Sequence, residues 1–245
     1  MKKIIPFIFA LSFLAAFTAC NWTEPTSMTY AFGFVRGSSI LSDGGMTFNV
    51  TASECGDNWK LMDRGYFEFK LGKKINEKTY EATVIYATDV HLKEPVDSDD
   101  PEIEKYGKDA VGFADCYISG TGRNIYLNFY EVFFTVSGSN MKHDINFMFN
   151  KEKSSKSDTL FFELKHNGHG ETFDNPDVPQ EKLVLSTEYT SLNLEEYIKA
   201  GATKAIFAIE YDWHKYDDFM QTYLRETEHV IKSGSVAIES DPAIN

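Results

Sequence analysis

This sequence predicts an all-β chain in two parts: a small barrel or curled meander, followed by an antiparallel β-sandwich with one short helix. Three observations carry the prediction. With 20 Phe and 13 Tyr among 245 residues, the chain is strongly aromatic, and aromatic side chains favour strands. Apolar residues recur at every second position through most of the chain, which is the period of a half-buried strand. The breaks between these runs are short and made of Gly, Asp, Asn and Ser, the residues that form tight turns.

The first residues read as a leader. Lys2 and Lys3 precede a short apolar run, Ile4 to Phe17, and the small pair Thr18-Ala19 stands before Cys20. The run falls short of the roughly 20 residues a membrane-spanning helix needs, so 1–19 is a secretory signal peptide. The small-small-Cys ending resembles a bacterial lipobox, which makes Cys20 the first mature residue and the point of lipid attachment, palmitate included. Residues 20–28 then form a polar, Pro-containing tether. Loss of Lys2 and Lys3 leaves 22 of the 24 basic residues against 37 acidic ones, a formal charge of −15. Such a surface repels phosphate backbones and excludes nucleic acid as a partner. Anchoring is left to the lipid.

Residues 29–94 are expected to form the barrel. Tyr30, Phe32 and Phe34 share one face of a strand, and Met46, Phe48 and Val50 share a face of the next, across the turn-forming Ser42-Asp43-Gly44-Gly45. Phe67, Phe69 and Leu71 mark a third strand, and Tyr80 to Leu92 a long fourth. Four strands in so short a span suit a small closed or curled sheet. Residues 95–109 concentrate acids and prolines and read as an exposed acidic linker. Its acids lack the spacing and central Gly of an EF-hand loop.

Residues 110–245 are expected to form the sandwich. Along Tyr126 to Val136 both alternating faces are apolar, with Tyr130, Val132 and Phe134 on one and Leu127, Phe129 and Phe133 on the other. A strand covered on both sides lies centrally. Ile145, Phe147 and Phe149 continue the pattern, as do Leu160, Phe162 and Leu164, then Leu183, Leu185 and Tyr189, then Phe207, Ile209 and Tyr211. Ser191 to Ala200 reads as one or two helical turns stopped by Gly201. Tyr216 to Ile231 has near-helical apolar spacing and is expected to be an amphipathic helix, with Val236 to Ile238 as a last edge strand.

Candidate chemistry is sparse. The chain holds no G-x-S-x-G elbow, P-loop or dinucleotide-binding glycine fingerprint. His166, His169 and Glu171 form the one metal-like grouping, the donor set of a metal-dependent hydrolase. They straddle an Asn-Gly turn and lack the i, i+4 spacing of a helical zinc pair, so a structural turn is the expectation and no metal or other cofactor is implied. His143 opens a strand and suits an edge role. Of the tryptophans Trp22, Trp59 and Trp213, Trp59 in a polar loop is the most plausible shelf for a sugar, although one loop Trp is more often a lid on the core. Cys55 and Cys116 either close a loop of about 60 residues as a disulfide or stay as two thiols, and nothing in the spacing brings their Cβ atoms together.

Several short motifs in order add a resemblance: the lipobox Cys20, Tyr126-Leu127-Asn128-Phe129, His143-Asp144-Ile145-Asn146, and Glu163-Leu164-Lys165-His166-Asn167. With the Leu192 to Tyr197 run and the strand that follows, they resemble the NigD-like lipoproteins of Gram-negative anaerobes. The resemblance covers about Tyr30 to Tyr211, with Lys165 where the family usually has Arg. It implies an N-terminal OB-like barrel, a C-terminal sandwich and a lipid anchor, with no established activity and no catalytic residues to carry over. The expected function is a non-enzymatic envelope lipoprotein at the outer membrane, on its periplasmic face or at the cell surface, binding an unknown protein or glycan.

Overall fold

The computed structural model describes residues 27–121, 124–198, 204–218, 220, 222–232 and 236–237. Cys20 and Trp22 lie outside them, as do Ala200 and Gly201, the expected helix end and stop. Five strands close into a barrel: β1 (Met28–Arg36), β2 (Ser39–Ser42), β3 (Thr47–Ser53), β4 (Arg64–Asn76) and β5 (Thr79–Asp89), in the order β1-β2-β3-β5-β4. β4 pairs back onto β1, and β3 meets β5 in parallel. Closure by one parallel pair gives the five-stranded Greek-key barrel expected from the resemblance. The alternation works as read, because Phe48, Phe67, Phe69, Ala82 and Val84 turn inward around Ile40. β2 is additional to the four expected strands; it is too short for alternation to register in the sequence.

Trp59 does not stand out from the barrel. It sits on a 3-10 turn, Asn58–Leu61, is 1% exposed and plugs the core. An aromatic in a polar loop closes a small barrel at low cost, since its apolar body would otherwise face water. Trp59 is thus a lid on the barrel core, the commoner role of a loop Trp, rather than the sugar shelf weighed against it.

The second part packs two sheets face to face. One holds β6 (His91–Lys93), β12 (Leu183–Asn193), β9 (Asn124–Val136) and β8 (Phe113–Thr121), in the order β6-β12-β9-β8. The other runs β14 (Thr222–Lys232), β13 (Lys204–Asp217), β11 (Thr159–Asn167), β10 (Asp144–Phe149) and β7 (Val96–Asp97), with β15 (Val236–Ala237) beside β13. A one-turn helix, α1 (Lys151–Ser155), is capped by the Asn150 side chain, which accepts from the Lys153 N–H. The stretch read as an acidic linker supplies β7 and a 3-10 turn, Ile103–Tyr106; β6, just before it, pairs with β12 of the sandwich.

β9 is central, between β8 and β12, as its two apolar faces require. Ile125, Leu127, Phe129 and Phe133 face the opposite sheet, where Ile145, Phe147, Phe162 and Leu164 meet them. Phe129 and Phe147 lie 4.1 Å apart ring to ring. Glu131 shares this inward face, fully buried, and neither carboxylate oxygen has a hydrogen-bond partner among the described residues. Burial, and then the Glu188 carboxylate directly across on β12, push its carboxyl well above the usual range, against the pull of Lys93.

Two expected helices are strands or turns. Ser191–Asn193 completes β12, and only a 3-10 turn, Glu195–Tyr197, follows. The expected tail helix is a β-hairpin, with Tyr216 opposite Tyr223 and His214 opposite Arg225. Its Thr, Tyr, Val and Ile content favours the pleated surface over the helix. Pairing with β13 decides between the two patterns.

Candidate functional site

The metal-like grouping does not assemble. β11 turns His166 into the sandwich, 1% exposed, where its Nε2 lies 2.9 Å from His143 Nδ1, and Phe133 stacks on His143 and lies tilted against His166. Glu171 lies on the far side of His143, with Oε2 3.8 Å from His143 Nε2. Its carboxylate accepts from the Thr135 hydroxyl at 2.8 Å, the Val136 N–H at 3.1 Å and the Ser139 hydroxyl. Although burial opposes them, the Ser139, Thr135 and Val136 donors hold the Glu171 carboxyl below its ordinary range. His169 points outward with φ 51° and meets Asp144 Oδ2 at 2.7 Å. Among the described residues no three His, Cys, Asp or Glu side chains gather around a point that a metal ion could occupy.

Burial, and then the neighbouring His143, bring His166 down to about 3, so it is neutral across the physiological range. His143 is lowered by the same desolvation. Asn167 fixes the turn beyond them, accepting from the His169 N–H at 3.0 Å and donating to the Lys105 carbonyl at 3.3 Å. These are structural locks, as the Asn-Gly turn suggested. Cys55 and Cys116 are both free thiols, the first exposed.

The organised polar chemistry lies elsewhere, where the barrel meets the outer face of the β8-β9-β12 sheet. Alternation along β9 turns Leu127 into the core and therefore turns Tyr126 and Asn128 out, beneath the barrel. Arg64, the first residue of β4, is 2% exposed and sits between the two domains. Its guanidinium donates to both oxygens of Asp43 at 2.7 Å, to Asn128 Oδ1 at 2.9 Å and, through Nε, to the Ser191 hydroxyl at 3.0 Å. The ring faces of Tyr126 and Phe34 lie 4.3 and 4.8 Å from it. Ser119 donates to Asp43, and Asn128 Nδ2 donates to Ser119 at 2.6 Å. A bidentate, stacked guanidinium in a closed set of partners is an arrangement that Lys cannot reproduce. Sequence reading missed it because its members are 64 and 127 residues apart.

Beside this buried contact the corner opens into a face of tyrosines. Tyr66 of β4 stacks on Tyr189 of β12, with centroids 5.3 Å apart and planes 9° apart. Tyr130 lies 5.0 Å from Tyr189, and Tyr30 and Tyr86 flank Tyr66 at 6.1 and 6.3 Å. Tyr30, Tyr117 and Tyr86 are 65%, 47% and 44% exposed. The Tyr66 hydroxyl donates to Glu68 at 3.2 Å and that of Tyr117 to Asp115 at 2.9 Å. Burial, and then the Tyr86, Tyr130 and Tyr117 hydroxyls nearby, push Tyr189 up to about 12. Tyr30 and Tyr117 also line a cleft of about 530 Å³ that reaches down to Asp43 and Ser119.

A closed OB-like barrel riveted to an antiparallel sandwich, with an aromatic corner between them and no assembled catalytic or metal set among the described residues, defines a two-domain β-protein of a recognisable class. The model of the NigD-like C-terminal beta sandwich domain matches residues 94–224, more than half of the chain, and the chain belongs to the NigD-like family. Solved structures agree in fold. A NigD-like immunity protein from Bacteroides caccae is similar with a TM-score of 0.53 and 16% identity, over 83% of this chain and 92% of that one. A protein of unknown function from Bacteroides vulgatus gives 0.56 and 15%, over 89% and 96%. A Bacteroides fragilis protein assigned as a lipoprotein gives 0.57 and 12%, over 87% and 99%. No curated protein matches the chain.

Proposed function

We propose that this is a non-catalytic lipoprotein of the outer membrane, anchored through Cys20, that holds a partner against the tyrosine corner between its two domains. The observation that carries the reading is the pairing of a rigid buried contact with an exposed aromatic face. Arg64, bonded to Asn128 and Ser191, and Asp43, bonded to Ser119, fix the barrel on the sheet, so the rings of Tyr30, Tyr66 and Tyr86 from one domain keep their places against Tyr117 and Tyr189 of the other. Tyrosines offer large contact area with few rotatable bonds, so ordering them on binding costs little entropy. The absence of nucleophile motifs in the sequence and the locked state of His166 and Glu171 support a binding rather than a catalytic role. One structural neighbour is named an immunity protein, and carried to this chain that name accords with capture of a partner at the envelope.

The test is site-specific photo-crosslinking in cells. A benzophenone amino acid at Tyr30 or Tyr117 is expected to give the same identified adduct, whereas one at Glu152, on the exposed helix α1, gives none. Equal adducts from all three positions, or none at the corner, would refute the reading. The anchor is tested separately: Cys20→Ser is expected to release the chain from the membrane fraction and to abolish palmitate labelling.

A further inference from the structure

We infer that the tyrosine corner recognises a basic peptide segment of its partner, with lysine or arginine side chains laid across the rings between Glu68 and Asp115; this rests on the corner being the binding face. Three features point to positive charge. Ring faces carry negative electrostatic potential and attract ammonium and guanidinium groups within about 6 Å. Here each of two rings also donates its hydroxyl proton to a carboxylate, Tyr66 to Glu68 and Tyr117 to Asp115, and that polarisation leaves the π face richer in electrons. Neither carboxylate takes part in an ion pair with any described residue, whereas Glu54, Asp97, Glu102, Glu104 and Glu152 each pair with a lysine. Asp43, the acid at the bottom of the adjoining cleft, is already matched by Arg64. The corner therefore presents two uncompensated negative charges framed by aromatic faces, and no described Lys or Arg lines the cleft beside it.

The geometry fits a peptide better than a single small ammonium ion. Glu68 sits on β4 with Tyr30 opposite it on β1 and Tyr86 opposite it on β5, so one carboxylate is flanked by two exposed rings. Asp115 stands on β8 opposite Tyr130, which in turn pairs with Tyr189. Centroid steps of 6.1, 5.3 and 5.0 Å from Tyr30 through Tyr66 and Tyr189 to Tyr130 carry the face from one domain to the other. One ammonium group covers a single such step, whereas an extended segment places successive side chains along all of them. The surrounding surface, at a net −15 after loss of the leader, steers a cationic segment toward the corner over about a Debye length.

The experiment uses the mature lipidated chain in a neutral detergent and a fluorescent decapeptide of alternating Lys, Arg and Gly, followed by anisotropy. Controls are the same peptide with Glu replacing the basic residues, and maltohexaose as a neutral sugar. Saturable binding of the basic peptide is expected, weakening about tenfold or more for Tyr30→Ala/Tyr86→Ala and again for Glu68→Gln/Asp115→Asn. Affinity is also expected to fall as salt rises from about 50 to about 500 mM. Circular dichroism melts of the variants, whose changed side chains are half-buried or exposed, check that each is folded. Binding that survives both double variants, equal binding of the Glu peptide, or displacement by maltohexaose overturns the inference. If the basic peptide fails to bind while the Tyr30 crosslink in cells persists, the corner stands and the positive charge is wrong. If the crosslink is also absent, the corner itself falls.

Discussion

Replacing Arg64 by Ala tests the load on the inter-domain contact most directly. The substitution removes the bidentate partner of Asp43, the Nε bond to Ser191 and the bond to Asn128, together with the cation packed on Tyr126 and Phe34. Asp43, 8% exposed with Arg64 in place, is left with the Ser119 hydroxyl as its bonded partner. An uncompensated buried charge of this kind costs roughly 3–5 kcal/mol. At the sensitivity of a chain this size, that lowers the melting temperature by roughly 6–20 °C. The assay is denaturant unfolding of wild type, Arg64→Ala, Asp43→Ala and the double variant, followed by Trp59 fluorescence for the barrel in a Trp22→Phe/Trp213→Phe background and by far-UV dichroism for the whole. Wild type is expected to unfold in one transition. Arg64→Ala should separate the barrel signal from the total, and the double variant should be less destabilised than the two single losses added together. Additive losses would show that Arg64 and Asp43 act as an ordinary pair within the barrel, and a loss under about 1 kcal/mol for Arg64→Ala with the barrel signal still following the total would show that its bonds to Asn128 and Ser191 do not hold the domains.

Three further outcomes follow from buried or free groups. Glu131 is neutral in the folded chain at pH values where the unfolded chain ionises it, so it lowers stability progressively as pH rises above the ordinary glutamate range. Glu131→Met should flatten that fall and raise stability by roughly 1–3 kcal/mol at neutral pH, read from denaturation midpoints across a pH series. His166 acts in the opposite sense: with its folded value near 3, the unfolded chain binds the proton first, and stability is lost as pH drops from about 6.5 toward 3. His166→Gln should remove that part of the acid-side fall, and an unchanged slope would count against the buried neutral imidazole. Burial raises the Cys116 thiol to about 11, whereas Cys55 is exposed, so mass spectrometry at pH 8 should find Cys55 alkylated well before Cys116. A disulfide, which would block both, would contradict the free thiols.

What the sequence made legible was the part of the fold that depends on near neighbours. Alternation placed β1, β3, β4, β9, β10 and β11 because each has one face or two that must be dry, and period 2 records this without any tertiary knowledge. It failed where two periods fit the same residues. Phe219, Met220, Tyr223, Leu224 and Val230 suit a helix on spacing alone, yet in the described part of that stretch Tyr223 faces Phe134 and Phe173 as one side of a strand. Alternation also cannot say what covers an outward face. The polar neighbours of Trp59 leave both a sugar shelf and a core lid open, and the barrel core beneath it makes it the lid. The aromatic residues of the corner were all visible as strand residues, but nothing local told that Tyr66 and Tyr189, over a hundred positions apart, would stack.

The short motifs behind the family resemblance gain a physical reason from this geometry. In Tyr126-Leu127-Asn128 the middle residue serves the core and the outer two serve the barrel, Tyr126 as a ring under the Arg64 guanidinium and Asn128 as acceptor from it and donor to Ser119. A hydrophobic residue at Asn128 would leave Arg64 one acceptor short in a buried site, a loss of the order of 1–3 kcal/mol. A Leu at Tyr126 would keep the burial and forfeit the attraction of the ring for the cation. His166-Asn167 divides its work in the same way, with the imidazole locked inward against His143 and the amide closing the turn outside. These residues therefore specify how the two sheets and the barrel are joined. The tyrosines of the corner, Tyr30, Tyr86 and Tyr117, lie outside those motifs.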